Sequence, residues 1–181
     1  MLTAQQQSLI QAIEQLDSAT VTGLLAEGVD PNFIVDGETG PVISVWSDAL
    51  FGWWEQVCEA YEAGTPWTEA QKQQALEPHL AILDALIAAK ANVHLWDAEE
   101  VYGPLWDAAS AACVPAVQRL LAAQVDPNTK DEEDLTILSS ISHLFFDCDF
   151  DEIDWSQALA EEKQVLELLR AHGAKMSKEL N

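Results

Sequence analysis

The chain has 181 residues, and 49% of them are apolar, so it can form a substantial core and does not have the composition of a disordered protein. It carries 31 Asp and Glu residues against 8 Lys and Arg, which gives a formal net charge of −23 at pH 7. A surface this acidic repels phosphate backbones and anionic lipids, so we exclude DNA, RNA and membrane surfaces as partners.

The cellular location follows from what the chain lacks. No apolar run approaches the roughly 20 residues that span a bilayer, and the first residues do not resemble a secretory signal. Cys58, Cys113 and Cys148 are odd in number, widely spaced and unmatched to any ligand motif. This pattern favours structural thiols in a reducing compartment, and we expect a cytoplasmic protein.

Four segments along the chain share one pattern, in which an apolar-faced helix is followed by a stop and an exit loop. The segments are residues 21–32, 83–94, 117–128 and 166–175. In the first and third of them a proline, Pro31 or Pro127, prevents the helix from continuing. The repetition indicates an array of similar helical units.

The stops themselves predict a backbone conformation. Gly28 and Gly173 stand where the residue after a helix adopts a left-handed conformation, which glycine does without a steric penalty. Lys90 and Gln124 occupy the same slot, so we expect some strain at those two ends. The stops are 62, 34 and 49 residues apart in chain order.

Helix starts precede three of these segments, at residues 39–46, 102–109 and 135–141. A proline at the first helical position has the required φ and no donor to leave unpaired, so Pro41 and Pro104 predict helix starts there. Residues 9–13 supply the equivalent first helix at the beginning of the array.

These units resemble the ankyrin-repeat family, whose unit is a turn, a Thr-Pro-Leu-His-x-Ala-Ala helix and a second helix ending Leu-Leu-x-x-Gly-Ala-Asp. Residues 103–128 match it in length, with Gly103 in place of the Thr and Trp106 in place of the His. The resemblance implies an all-α solenoid of about four helix-turn-helix units in a single domain over residues 1–181. The units are residues 4–32, 33–94, 95–128 and 129–177.

The irregular spacing of the stops predicts two insertions. In unit two, residues 47–77 contain apolar side chains at helical spacing, and Thr65 with Pro66 can start a new helix, so we expect a lengthened helix pair. In unit four, residues 143–160 carry aromatic side chains among acids, and we expect a long loop or a short helix.

The resemblance also implies a binding surface, made by finger-like loops at residues 33–40, 94–103 and 128–135 and by the first helices. The predicted partner-binding residues are Asp36, Glu38, Trp96, Asp97, Glu99, Glu100, Tyr102, Trp106, Asp131, Glu132, Glu133 and Asp134. Aromatic anchors among carboxylates suit a basic protein partner. Two alternatives stay open: the acidity serves only solubility, and Trp96 and Tyr102 pack between neighbouring fingers.

Other chemistry finds little support in the sequence. Residues 147–154 begin like a calcium loop, but Glu152 stands where glycine is needed and Ala158 where a bidentate Glu is needed, so we expect no metal and no cofactor. No catalytic motif is present, and we expect no enzyme. We expect a monomeric protein–protein interaction module. The alternatives are an inhibitor or immunity-type protein that mimics phosphates with its carboxylates between residues 131 and 154, and a scaffold in a larger assembly.

Overall fold

The computed structural model describes residues 1–36, 40–94, 103–131, 133–156 and 159–180. The chain divides into two compact units, Met1–Trp96 and Asp97–Asn181. Both are mainly helical. The predicted grouping of all residues into one domain stays a prediction.

The first unit contains two helix pairs and a short hairpin. Its elements are α1 (Ala4–Glu14), α2 (Ser18–Ala26), β1 (Ile34–Asp36), β2 (Gly40–Pro41), α3 (Val42–Glu62) and α4 (Glu69–Ala88). The antiparallel hairpin pairs Ile34 with Pro41 and Asp36 with Gly40. It adds β structure that the all-α prediction did not include.

Side-chain caps define the first helix pair. Thr3 and Gln6 form a reciprocal capping box at the start of α1, with backbone-to-side-chain bonds of 3.2 and 2.8 Å. The Asp17 carboxylate caps α2 by accepting from the Thr20 N–H at 3.0 Å. Between the helices, Leu16 has a φ of 56°, so the chain reverses within about three residues. A short helix-turn-helix results.

Two of the predicted helix starts differ from the structure. Pro41 lies one residue before α3, as its N-cap with extended backbone, because it also pairs with Ile34 in the hairpin. Thr65 does not start α4, since its N–H donates to the Ala60 carbonyl at 2.9 Å and closes the end of α3. Thr68 caps α4 instead, in a second capping box with Gln71.

The core of the first unit lies between the helix pairs. The largest fully buried side chains are Leu9, Ile13, Ile43, Trp46, Leu50, Ile82, Leu83 and Leu86. The Trp46 indole N–H donates to the His79 carbonyl at 2.9 Å, so this buried polar group is satisfied. Burial of side chains of this size stabilises the fold by roughly 1.5–3 kcal/mol each before entropy is subtracted.

The second unit repeats the arrangement with shorter helices. Its elements are α5 (Pro104–Ser110), α6 (Val114–Ala122), α7 (Ile137–Phe146), a 3-10 turn (Phe150–Glu152), α8 (Ala160–Ala171) and a second 3-10 turn (Ser177–Glu179). Pro104 occupies the first position of α5 as predicted. Leu105, Leu120, Leu138 and Ile141 are the largest fully buried side chains here.

All four predicted stops have the left-handed conformation, which confirms the repeat pattern. Values of φ are 94° at Gly28, 62° at Lys90, 64° at Gln124 and 87° at Gly173. In every case the N–H of the stop and the N–H after it donate back into the preceding helix, over distances of 2.9–3.2 Å. Lys90 and Gln124 bear the strain that a side chain has in this conformation.

Within each unit, an asparagine joins the two stops. In the first unit the Asn32 amide donates to the Lys90 carbonyl at 3.2 Å and accepts from the Asn92 N–H at 2.6 Å. In the second unit the Asn128 amide bonds the Gly173 carbonyl at 3.1 Å and the Lys175 N–H at 2.9 Å. One side chain thus satisfies two backbone groups of the next helix pair, and the two units use the same joint.

The two predicted insertions fall in different kinds of structure. Residues 47–77 lie within α3, a connector of six residues and α4, whose helices have 21 and 20 residues. Residues 143–160 run from the last turn of α7 to the start of α8 and include a 3-10 turn. That these segments are insertions into a repeat unit stays a prediction.

Candidate functional site

The acidic finger of the second unit comprises residues 130–136, of which residues 130–131 and 133–136 are described and close a turn. Lys130 and Thr136 form an antiparallel bridge, and the Asp131 N–H donates to the Leu135 carbonyl at 2.9 Å. Thr136 is buried and anchors the base, donating through its hydroxyl to the Lys175 carbonyl at 2.6 Å. The finger is therefore held at its base by the end of the chain.

Asp131 organises this turn from within. One carboxylate oxygen accepts from the N–H groups of Glu133 at 3.0 Å and Leu135 at 2.8 Å, and the other accepts from the Ser140 hydroxyl at 3.1 Å. Asp134 then adopts a φ of 62°. The prediction gave Asp131 a steering role; in the structure its carboxylate fixes the shape of the finger.

Among the described residues of the acidic finger, Glu133 and Asp134 are exposed carboxylates. Asp134 has a side chain that is 89% exposed and stands 3.6 Å from the Lys130 ammonium. An exposed ion pair of this length adds little to stability, so the charge stays accessible to a second molecule.

Asp36 is the described carboxylate of the corresponding hairpin in the first unit. It is exposed at the end of β1, and the strand before it is tied to α3 through the Val42 N–H, which donates to the Phe33 carbonyl at 3.2 Å. The carboxylate therefore sits on a backbone with defined pairing.

Most of the predicted central finger lies outside the described residues. The predicted site residues for which no position is described are Glu38, Trp96, Asp97, Glu99, Glu100, Tyr102 and Glu132. Their roles stay predictions.

Trp106 occupies the first turn of α5, three residues after the glycine that precedes that helix. Its side chain is half-buried, between Leu105, which is fully buried, and Asp107, which is half-buried. A tryptophan in this setting can both pack inward and present part of its ring.

The acidic insertion between α7 and α8 folds against the end of the chain. Asp149 accepts from the Lys178 ammonium at 2.7 Å and lies 3.4 Å from the His143 imidazole. The hydrogen bond from Lys178 lowers the pKa of Asp149. Arg170 forms a two-pronged pair with Glu179 at 2.6 and 2.9 Å, and these bonds lower the pKa of Glu179 to about 2.

Aromatic side chains of the same insertion form one cluster. The Trp155 ring stands 5.5 Å from Phe150 and 6.1 Å from Phe146, both edge-on. Arg170 and Lys163 lie over the Phe150 and Trp155 rings at 5.6 and 5.7 Å. The sequence predicted a long loop or a short helix here; its aromatic spacing could have indicated this packing.

The three cysteine thiols all have a raised pKa. Burial raises the pKa of Cys113 to about 11, and partial burial with nearby carboxylates raises the pKa of Cys58 and Cys148. All three thiols are unpaired and protonated at neutral pH. The buried His79 has a pKa lowered to about 4 by burial.

The described ranges contain no cluster of three or more His, Cys, Asp and Glu side chains that could hold a metal ion. They also contain no helix whose length and apolar character would let it cross a membrane.

No protein-family model matches the chain, and no curated protein sequence matches it. Among solved structures, the human ASB11 ankyrin repeat domain aligns with 92% of this chain and 84% of its own length, at 18% sequence identity and a TM-score of 0.37. A likeness at that score does not establish family membership.

Proposed function

We propose that the chain is a non-catalytic protein–protein interaction module of the ankyrin type that binds a basic protein through its exposed acidic loops. Helix pairs joined by the same asparagine contact in both units support a stacked-repeat architecture, and such arrays present extended binding surfaces.

The observation that supports this proposal most is that the carboxylates of the acidic finger have different roles. Asp131 uses its carboxylate to hold the backbone, while Glu133 and Asp134 stay exposed on that fixed turn. Because the turn that carries these charges is already ordered, binding a partner does not cost the entropy of ordering it, which favours affinity. The net charge of −23 attracts a basic protein from a distance and raises its rate of association.

The phosphate-mimicry alternative has weaker support from the contacts. It needs several accessible carboxylates between residues 131 and 154, but Lys178 lies 2.7 Å from Asp149 and 3.9 Å from Asp151. Part of that negative charge is therefore compensated within the chain.

The proposal is tested with a pair of variants of equal charge. The finger variant carries Glu133→Lys and Asp134→Lys; its control carries Glu14→Lys and Glu27→Lys, which change two exposed carboxylates of the first unit. Proteins captured on the immobilised chain are identified, and one basic candidate is titrated against wild type and both variants at two salt concentrations.

We expect the finger variant to bind at least about tenfold more weakly than the control and to show a smaller salt dependence. Equal affinities of the two variants would show that only the overall charge matters, and the finger assignment would be wrong. Capture of acidic proteins alone would refute the basic partner. A nuclease among the captured proteins, inhibited by the chain, would instead support the mimicry alternative.

A further inference from the structure

One face of α3 carries a stripe of side chains that changes from buried to exposed along the helix. The stripe is formed by Ser44, Ser47, Phe51, Trp54, Cys58 and Tyr61, whose alternating spacing of three and four places them on one line. Ser44 and Ser47 are 2% and 3% exposed, Trp54 and Cys58 are half-buried, and Phe51 and Tyr61 are 39% and 75% exposed. The same helix face is therefore buried near the start of α3 and exposed to solvent near its end.

The uncovered part, which we call the α3 stripe, runs from Phe51 to Tyr61. Ten residues at 1.5 Å each give a length of about 15 Å, or about three helical turns. Apolar side chains spaced three and four residues apart along a helix let a second helix pack against it, with the side chains of each helix inserted between those of the other. Two large aromatic side chains left this exposed on one face are typical of a contact surface.

Acids border this stripe. Asp48, Glu55, Glu59 and Glu62 recur on the neighbouring face of α3, and the helix contains no Lys or Arg. In paired helices the residues beside the apolar seam select the partner by charge. A second copy of this chain is a poor occupant, because each copy carries a net charge of −23.

We propose that the α3 stripe is a second docking surface, which takes a basic amphipathic helix of a partner protein. The apolar side of that helix would cover Phe51, Trp54 and Tyr61, and its Lys or Arg side chains would meet the bordering carboxylates. This proposal shares the basic partner of the proposed function but not its surface, so either one can fail alone.

The probe is a fluorescent peptide of about three heptads, with leucine at a and d and lysine at e and g. A control peptide keeps the lysines and replaces each leucine by serine. Binding is measured by fluorescence anisotropy to wild type, to a Phe51→Ser/Tyr61→Ser variant, and to a matched Ile34→Ser/Leu180→Ser variant at two exposed apolar positions elsewhere. The finger variant Glu133→Lys/Asp134→Lys is titrated alongside.

We expect the stripe variant to lose at least about tenfold in affinity, the matched variant to stay within about twofold of wild type, and the finger variant, whose charge is altered, to lose less than the stripe variant. The serine peptide should bind at least about tenfold more weakly than the leucine peptide. Tyr61→Ser alone serves if the double variant does not fold, since this side chain is the most exposed of the stripe. Equal binding of both peptides, or of wild type and stripe variant, overturns the proposal.

Cys58 gives a second readout within the same molecule. It lies in the stripe and is half-buried, as is Cys148 in the acidic insertion of the other unit, while Cys113 is buried. The bound peptide should slow alkylation of Cys58 by a maleimide at least about fivefold and leave Cys148 unchanged, as followed by mass spectrometry. Equal protection of Cys58 and Cys148, or protection of neither, overturns the proposed site.

Discussion

Stability of the first unit should fall between pH 6.5 and pH 4 because of one buried histidine. His79 is 2% exposed on α4, its Nδ1 has no hydrogen-bond partner, and burial lowers its pKa to about 4. In the unfolded chain the same imidazole titrates near 6.5. Below that pH the unfolded state binds a proton that the folded state does not take up, so the free energy of unfolding decreases as the pH falls.

The size of the effect follows from the two pKa values. At pH 5, an unfolded-state pKa of about 6.5 and a folded-state pKa of about 4 correspond to a loss of about 2 kcal/mol relative to pH 8. The full difference of about 2.5 units, about 3.4 kcal/mol, is reached only below pH 4. Most carboxylates titrate below pH 5, so the interval from pH 7 to 5 is dominated by histidine.

The assay is urea unfolding, followed by circular dichroism, at pH 8, 7, 6 and 5. The variant is His79→Leu, which keeps a side chain of similar size, removes the titrating group and leaves no buried imidazole nitrogen unsatisfied. It should lose less stability than wild type between pH 7 and 5. His94→Gln, at an exposed position, should keep the wild-type dependence. If His79→Leu and wild type lose the same stability between pH 7 and pH 5, the buried imidazole is not the cause of the pH dependence.

Three further predictions concern the joints and the acidic finger, each measured by denaturant unfolding. Gly28→Ala should destabilise the chain by about 1 kcal/mol because φ is 94° there, although the added Cβ meets no neighbouring atom within 4 Å. Gln124→Gly should be neutral or stabilising. If Gln124→Gly were the more destabilising of the two, the strain argument would be refuted. Asn128→Ala should cost about 1–2 kcal/mol of stability by removing two hydrogen bonds to backbone groups. Asn128→Asp, which keeps the oxygen that accepts from the Lys175 N–H, should cost less. Equal losses would show that these hydrogen bonds do not stabilise the contact between the helix ends. Asp131→Ala should cost about 1–2 kcal/mol of stability and speed amide hydrogen exchange at Glu133 and Leu135. Asp131→Asn should have an intermediate effect. Unchanged exchange would show that the turn does not depend on this carboxylate.

The repeated helix ends could be predicted from sequence because local rules determine them. A helix with an apolar face, followed by Gly28 or Gly173, can end in few ways, and the shared pattern extends the prediction to Lys90 and Gln124. The start of α4 was misplaced because Thr65 and Thr68 are both plausible caps. Only Thr68 has a glutamine three residues later, Gln71, and that capping box was the available signal.

The roles of individual acids could not be predicted in the same way. Asp131 and Glu133 look alike in the sequence, but one carboxylate closes the turn and the other is exposed, and the difference depends on where Ser140 and Leu135 lie in space. The pairing of Asp149 with Lys178 joins residues far apart along the chain. Contacts of this kind follow from tertiary packing, which one sequence does not specify locally.

The connector between α3 and α4 suggests a use in protein engineering. Residues Ala63 to Thr68 join these two helices and are not among the residues that form the asparagine joints. Loop closure entropy grows only slowly with length, so a peptide tag or small reporter domain grafted after Gly64 should leave each pair folded. New segments can thus be accommodated at this place while neighbouring repeats keep their register.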